Sequence, residues 1–168
     1  MNIEVIKRAE MCSYLLPDPG GEVLRTLLNE IRIERPVIAA ALVVRKELNV
    51  LVQKRLGNRQ PNTWGFPGGY LEKWENIQTG VLRELHEEAG LISVTSPKFW
   101  TIVEAMQPEE NLHYITIIMI SDWLAGEPQI MEPEKCAEWR WCDWETLPEP
   151  LMVGIEYLKA VNQNPINF

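Results

Sequence analysis

The sequence predicts an α/β protein of the α+β kind, in which a mixed β-sheet is sandwiched between helices. Three observations support this fold class. An unbroken apolar run fills residues 37–44, a helix-like stretch at 76–89 lies between strand-like segments, and a second helix-like stretch fills 151–161. Strands on both sides of a central helix, with another helix at the end, favour a sheet covered by helices.

The first two strands form a hairpin. Residues 37–44 read VIAAALVV, which is typical of a strand buried on both faces. Residues 50–53 form the second strand, paired with the first across the polar turn at 46–49. Residues 56–63 are rich in Gly, Asn, Arg, Gln and Pro and indicate a loop.

The later strands follow the central helix. Residues 98–106 and 113–124 predict two strands, and the second contains the β-branched run Ile115–Ile118. A short strand at 138–142 precedes the final helix.

Residues 1–36 are predicted to be an N-terminal extension, and residues 37–168 the main domain. Within the extension, apolar residues recur on one face of a helix. These residues are Val23, Leu24, Leu27, Leu28 and Ile31. Prolines and glycines at 17–21 precede this helix, and Pro36 follows it.

Composition excludes several classes of function. The net charge of −8 argues against a protein that coats nucleic acid, because such proteins present a basic surface to phosphates. No apolar run approaches the ~20 residues that span a bilayer. The 3 cysteines have no metal-like spacing and the N-terminus lacks a secretory layout, so we expect a cytoplasmic protein with reduced thiols.

The central helix combines an acidic face with an apolar face. Glu84, Glu87 and Glu88 fall within an arc of about 100°. Carboxylates at this spacing repel one another, and a hard cation such as Mg²⁺, or Mn²⁺ in its place, would relieve the repulsion. The alternative is an ordinary solvated face. The neighbouring apolar face, predicted to pack on the sheet, contains Val81, Leu82, Leu85 and Ala89.

The residues around this helix favour the functional interpretation. Gly68 and Gly69 allow the backbone to pass close to a ligand, and Gly90 suits a helix C-cap. Arg83 is placed to hold a carboxylate, for which Glu75 is the candidate.

Residues 69–91 resemble the Nudix box, G-x5-E-x7-R-E-U-x-E-E-x-G-U, where U is aliphatic. Every specified place is filled, by Gly69, Glu75, Arg83, Glu84, Leu85, Glu87, Glu88, Gly90 and Leu91. Two unspecified places depart from common usage: Trp74 stands where glycine often precedes the first glutamate, and Gly80 replaces a frequent alanine. Gly80, one turn before Glu84, is expected to leave room for substrate or a hydrated metal.

The resemblance implies a magnesium-dependent hydrolase of phosphoanhydride bonds. It assigns metal binding to Glu84, Glu87 and Glu88, with Gly69 in the same site. Glu87, Glu84 and Arg83 are the implied catalytic group, with Glu87 the favoured general base and Arg83 orienting Glu75. Glu132 and Glu134, outside the box, are alternative bases.

The substrate is a small nucleotide or diphosphate compound by the same resemblance. Implied contacts are Lys54, Arg55, Gly68 and Glu134. The alternative for Lys54 and Arg55 is that they are solvated charges at the end of a strand. The segments FPGGYLE, NLHYITIIM and MEPEKCAEWRWCDWETLP resemble MutT-like nucleoside-triphosphate pyrophosphatases, and the last two a plant and animal subgroup, some of whose plant members hydrolyse geranyl diphosphate. Trp139, Trp141 and Trp144 suit core packing, a dimer seam or base stacking.

Three functions therefore stay open. The first is release of a nucleoside monophosphate and pyrophosphate from a nucleoside triphosphate, ordinary or oxidised. The second is a diphosphatase acting on an isoprenoid diphosphate, a sugar nucleotide or a dinucleoside polyphosphate. The third is a nucleotide sensor without catalysis, which the complete box disfavours. The resemblance also favours a homodimer.

Overall fold

The long strands of the sheet form where the apolar runs predict them. The computed structural model describes residues 36–57, 59–108 and 112–168. The predicted N-terminal helix at 23–31 lies outside these residues. The described strands are β1 Val37–Lys46, β2 Asn49–Arg55, β3 Trp64–Gly65, β4 Gly68–Tyr70, β5 Ser93–Val94, β6 Lys98–Gln107, β7 Leu112–Ala125 and β8 Cys136–Asp143.

The sheet is mixed, as predicted. β1 runs parallel to β7 and antiparallel to β2 and β4, while β6 and β8 pair antiparallel with β7 and β2. β1 and β2 pair only near their shared turn, at Arg45–Val50 and Lys46–Asn49. Beyond it they separate, and the chain of β3 and β4 enters between them. This insertion brings Gly68 and Gly69 into the middle of the sheet.

Two helices cover the sheet. They are α1, Ile77–Ala89, and α2, Val153–Ala160. Because side chains alternate along a strand, each face of the sheet packs against a different helix. Neither described helix is long and apolar enough to cross a membrane.

The two faces contain separate apolar clusters. The α1 cluster includes Leu42, Leu51 and Met119 from the strands, with Val81 and Leu85 from the helix. The α2 cluster has more members, all apolar. Its buried residues include Val43, Val52, Trp64, Phe66, Val103, Ile118, Trp144, Leu151, Ile155 and Leu158.

The tryptophans near the C-terminus serve the core. Trp144 is buried and stacks on Phe66, with ring centroids 6.3 Å apart. Trp139 and Trp141 are partly buried against the α1 cluster. Of the uses considered for these residues, core packing is the one that the structure shows.

Candidate active site

Helix α1 is anchored at both ends by the residues that cap it. The Asn76 side chain accepts a hydrogen bond from the Thr79 backbone N–H at 2.9 Å, which satisfies a free donor of the first turn. Gly90 ends the helix with a φ of 77°, a conformation that glycine adopts without strain.

The apolar face of α1 is narrower than predicted. Val81, Leu85 and Ala89 are buried against the sheet, whereas Leu82 is 38% exposed and lies at the edge of the covered face. Glu88 is buried, with 8% exposure. The helix is therefore rotated so that one of its glutamates faces the protein interior.

Arg83 joins the preceding loop to the helix. Its Nε donates to Glu75 Oε1 at 2.9 Å and its Nη2 to Glu75 Oε2 at 3.0 Å, which is the pairing predicted from the sequence. Such two-point pairing fixes the relative orientation of the guanidinium and the carboxylate and also pairs their opposite charges. The Arg83 guanidinium holds the pKa of Glu75 below its usual range, and Glu75 raises the pKa of Arg83.

The remaining nitrogen of Arg83 lies between two box glutamates. Nη1 donates to Glu84 Oε1 at 2.8 Å and to Glu87 Oε2 at 3.0 Å. A single guanidinium therefore offsets the repulsion that the spacing of these carboxylates creates. Glu84 is largely covered and Glu87 is half exposed.

Glu88 is held from the strand side. Its Oε2 accepts a hydrogen bond from the Gly68 backbone N–H at 2.9 Å. Burial, which disfavours the charged form, raises the pKa of Glu88 to about 7, although the Gln53 amide and the Gly68 N–H lower it. Gly68 was predicted to contact substrate, but in this structure its N–H is committed to Glu88.

Two glycines permit close approach between the loop and α1. A Cβ at Gly69 would lie 2.5 Å from the Glu84 carboxylate. A Cβ at Gly80 would lie 2.6 Å from Leu71 and 3.0 Å from Glu75. The expectation that Gly80 leaves room for substrate or metal is therefore wrong, because its missing side chain admits the loop that bears Glu75.

The donor chemistry of this site fits a hard divalent cation. Glu84, Glu87 and Glu88 supply three carboxylates from one helix, and the absence of a Cβ at Gly69 lets the Glu84 carboxylate lie next to the backbone turn. Within residues 36–57, 59–108 and 112–168, however, no three acidic, cysteine or histidine side chains stand in a metal-holding arrangement. In this structure Arg83 donates to Glu84 and Glu87, and Glu88 accepts from Gly68.

The predicted phosphate contacts on β2 differ in their surroundings. The charge of Arg55 acts on Glu88 and lowers its pKa, and the Arg55 Nε is buried with no hydrogen-bond partner in the described part of the chain. Lys54 pairs in register with Trp64 and Glu138, and strand alternation directs its side chain to the face opposite Gln53. Arg55 is thus associated with the site through Glu88.

The acidic segment before β8 lies at the end of α1. The Met131 N–H donates to the Glu88 carbonyl at 3.3 Å, and the Gln129 N–H to the Ala89 carbonyl at 2.9 Å. Lys135 donates to Glu132 at 2.6 Å, and this contact raises the Lys135 pKa, with smaller contributions from Glu134 and Glu88. Of the two alternative bases, Glu132 is the one engaged by a lysine.

A cluster beside the box joins Tyr114, expected from the sequence to line or support the pocket, to two residues that sequence reasoning missed. The Tyr70 and Tyr114 rings are nearly parallel with centroids 6.3 Å apart, and their hydroxyls are 3.2 Å apart. The Arg59 guanidinium lies 5.6 Å and 5.5 Å from the two ring centroids and donates to the Tyr114 hydroxyl. Tyr70 directly follows Gly69, but Arg59 and Tyr114 are distant in sequence, so only the fold unites the three.

Another missed residue is Gln53. It is 1% exposed at the end of an apolar stretch of β2, and its amide lies near Glu88. A polar side chain interrupting a buried strand is a signal that the sequence did contain.

Comparison with known proteins identifies the family to which this chain belongs. The family model described as NUDIX domain matches residues 34–161. An ADP-ribose pyrophosphatase of Methanocaldococcus jannaschii is 30% identical over 117 residues, which cover 68% of this chain and 66% of that protein. An 8-oxo-dGTP diphosphatase of Buchnera aphidicola is 34% identical over 110 residues, covering 66% and 86% of the two chains.

Solved structures show the same fold. A MutT NUDIX hydrolase from Burkholderia pseudomallei superposes with a TM-score of 0.72 at 25% identity, covering 77% of this chain and 98% of the other. A MutT protein from Methanosarcina mazei gives a TM-score of 0.63 at 22% identity, covering 79% and 99%. With its complete box, its mixed sheet and the family match over residues 34–161, this chain belongs to the Nudix family and is a MutT-like hydrolase of pyrophosphate bonds.

Proposed function

We propose that the protein is a nucleoside-triphosphate pyrophosphatase. Water adds to an internal phosphorus, the α–β phosphoanhydride bond breaks, and nucleoside monophosphate, pyrophosphate and a proton are released. The observation that carries this proposal is the position of the Arg59–Tyr70–Tyr114 cluster, one residue from Gly69 of the box. An aromatic platform beside a phosphate-cleaving site suits a substrate that has a nucleobase next to its phosphates.

The charges of the cluster suit the same substrate. Arg59 makes no ion pair with the described residues, and a guanidinium is a group that binds a phosphate or a polar edge of a base. The relative from Buchnera aphidicola is named for hydrolysis of 8-oxo-dGTP, a substrate of this class. An oxidised or otherwise modified nucleotide is therefore included in the proposal.

Nudix hydrolases generally depend on a divalent metal, and we propose Mg²⁺ for this chain, with Mn²⁺ as a substitute. Glu84, Glu87 and Glu88 would hold the ion, beside Gly69. When bound, the ion neutralises phosphate oxygens and lowers the pKa of water. Among the chain's own groups, Arg83 orients the carboxylates, and Glu87, the most exposed of the three, is the proposed proton acceptor.

A product assay tests the reaction class. The panel holds ordinary and oxidised nucleoside triphosphates, ADP-ribose, a sugar nucleotide, a diadenosine polyphosphate and geranyl diphosphate, each in Mg²⁺ with products separated by chromatography. We expect monophosphate and pyrophosphate from triphosphates, and about a thousandfold slower release of both from Glu88→Gln. Glu127→Gln is the matched control, because Glu127 is an exposed glutamate paired with Lys46.

Other outcomes of this assay contradict the proposal in different ways. Turnover only of geranyl diphosphate, the sugar nucleotide or the dinucleotide would replace the substrate class by the diphosphatase alternative. Tight binding of intact triphosphate with no turnover in Mg²⁺ or Mn²⁺ would indicate a sensor.

The aromatic cluster has its own test. Tyr70→Ala is expected to raise KM for a nucleoside triphosphate about 5- to 150-fold, the equivalent of ~1–3 kcal/mol of stacking. Tyr157→Ala is the control, because Tyr157 is a similarly exposed tyrosine on α2. Equal KM values for the two variants would remove the cluster from substrate binding.

We also propose a homodimer. It is supported by large apolar side chains exposed along β6, namely Phe99, Ile102 and Met106. Sedimentation of the full chain is expected to give twice the monomer mass, and Ile102→Lys is expected to shift it to the monomer. A monomeric wild-type protein at micromolar concentration would contradict this proposal.

A further inference from the structure

Gln53 is an amide buried within an apolar strand. The preceding residues Val50, Leu51 and Val52 are fully buried, and Gln53 itself is 1% exposed. A buried amide without a hydrogen-bond partner costs ~1–3 kcal/mol relative to a paired one. An apolar side chain of similar volume would avoid this cost, so stability alone does not explain a glutamine here.

The position of Gln53 directs its side chain towards α1. Leu51 packs in the α1 cluster with Leu85 and Ala89, and Gln53 is the next residue along the same face of β2. Glu88 lies beside Ala89, one turn beyond Leu85. The buried amide and the buried carboxylate therefore meet between strand and helix.

The hydrogen bonds of the two groups are complementary. One Glu88 oxygen, Oε2, accepts from the Gly68 N–H, which leaves the other oxygen without a protein donor in the described residues. The Gln53 Nε2 is buried and has no acceptor at hydrogen-bonding geometry in the same part of the chain. The unpaired amide and the unpaired carboxylate oxygen are therefore both buried between β2 and α1.

We propose that Gln53 is a positioning residue for Glu88. Its Nε2–H, which has no acceptor among the described residues, is placed to donate to the Glu88 oxygen that Gly68 does not hold, so that the carboxylate stays directed into the site when a divalent cation binds. This inference rests on the proposed metal-binding role of Glu88. It adds to the site a residue that lies outside the box, on strand β2.

The test measures cation binding without substrate. Mn²⁺ is titrated into the full-length protein and free Mn²⁺ is followed by electron paramagnetic resonance. Gln53→Met and Gln53→Leu remove the amide while keeping an apolar side chain of comparable size. We expect both variants to fold and to bind Mn²⁺ about 10- to 100-fold more weakly, the range typical for partners of metal ligands. In turnover assays, kcat at limiting Mg²⁺ should fall while KM for nucleotide changes less than about twofold.

A double-mutant cycle separates positioning from packing. In a Glu88→Gln background, replacing Gln53 should reduce Mn²⁺ affinity by no more than about twofold further, because the group on which it acts is gone. Ser121→Ala is the control, because Ser121 is another buried polar residue, on β7, with an unpaired hydroxyl. It should bind Mn²⁺ as the wild type does.

The possible results distinguish two failures. Wild-type Mn²⁺ affinity in whichever Gln53 variant is folded would overturn the positioning role and leave the proposed function intact. Wild-type Mn²⁺ affinity in Glu88→Gln would instead overturn the metal assignment itself.

Discussion

The two faces of the sheet are built differently, although the same strands supply both. The face under α2 packs only apolar side chains, among them Trp144, Ile155 and Leu158. The face under α1 contains all three buried polar or charged residues found in the described part of the chain, Gln53, Glu88 and Ser121. Strand alternation assigns each residue of β2 and β7 to one face or the other.

This difference separates stability from chemistry. Burying an unpaired polar group costs free energy, whereas burying apolar surface gains ~25 cal/mol per Å². The α2 face contributes apolar burial without that cost. On the α1 face, burial of the polar groups of Glu88 and Gln53 near Gly68 costs free energy. This is the face that bears the Nudix box. Mutations of buried residues on the two faces should therefore separate activity from folding.

The largest effect is expected at Glu88. Glu88→Gln keeps the shape of the side chain but removes its charge, so kcat/KM should fall about a thousandfold, equivalent to several kcal/mol of lost charge stabilisation. The thermal midpoint should not fall, because a neutral amide is cheaper to bury than a carboxylate. Product assays and thermal unfolding of the same preparation measure both. Residual activity within tenfold of wild type would contradict the assignment.

The opposite pattern is expected on the α2 face. Leu158→Ala removes a fully buried side chain and should lower the free energy of unfolding by ~2–5 kcal/mol. Activity per folded molecule should be unchanged at a temperature well below the midpoint. Urea denaturation measured beside turnover tests this, and a specific activity that fell in step with stability would show that the faces are coupled.

A smaller loss of activity is expected at Gly69. An alanine Cβ there would lie 2.5 Å from the Glu84 carboxylate. Because the Gly69 backbone is paired with β1 in the sheet, the Glu84 side chain is the part that must move. A displacement of about 1 Å can reduce turnover ~100-fold, while the flexible glutamate limits the loss of stability. Gly57→Ala is the matched control, because no atom lies within 4 Å of its added Cβ. Equal kinetics in the two variants would contradict the close-packing argument.

The smallest effect is a gain in stability at Trp74. This residue is 92% exposed and has a φ of 72°, a conformation that costs a residue with a Cβ ~1–2 kcal/mol. Trp74→Gly should therefore raise the free energy of unfolding by ~1 kcal/mol after the extra flexibility of unfolded glycine is deducted. Trp74→Ala keeps the unfavourable backbone and should show no such gain in urea denaturation. A gain of the same size in both variants would mean that the indole, and not the backbone, is destabilising.

Much of the architecture could be predicted because it is local. The apolar run at 37–44 predicted β1, and the helix from 76 to 89 was predicted to within one residue of Ile77–Ala89. The short strands β3, β4 and β5 were not predicted, because two or three residues contain too little periodicity to identify a strand. They are strands only through pairing with longer strands, β3 with β2, β4 with β1 and β5 with β7.

For the site too, the features that depend on local spacing were predicted and those that depend on tertiary packing were not. Spacing along one helix placed Glu84, Glu87 and Glu88 on one side of it, since residues three or four apart on a helix are neighbours. The pairing of Arg83 with Glu75, in the loop before the helix, was predicted as well. Spacing could not show that Glu88 faces inward while Glu87 faces outward. That depends on how the helix is rotated against the sheet, which is set by the packing of Val81, Leu85 and Ala89.

The sequence by itself determined the family, the reaction class and the residues of the box, because those depend on spacing within one short segment. Only the tertiary structure decided what surrounds the box. Gln53 from β2 meets Glu88 from α1, and Arg59 meets Tyr70 and Tyr114, across 35 and up to 55 positions of sequence. Such contacts arise from strand register and helix rotation, which depend on the packing of the whole core and leave no periodic signal in the chain.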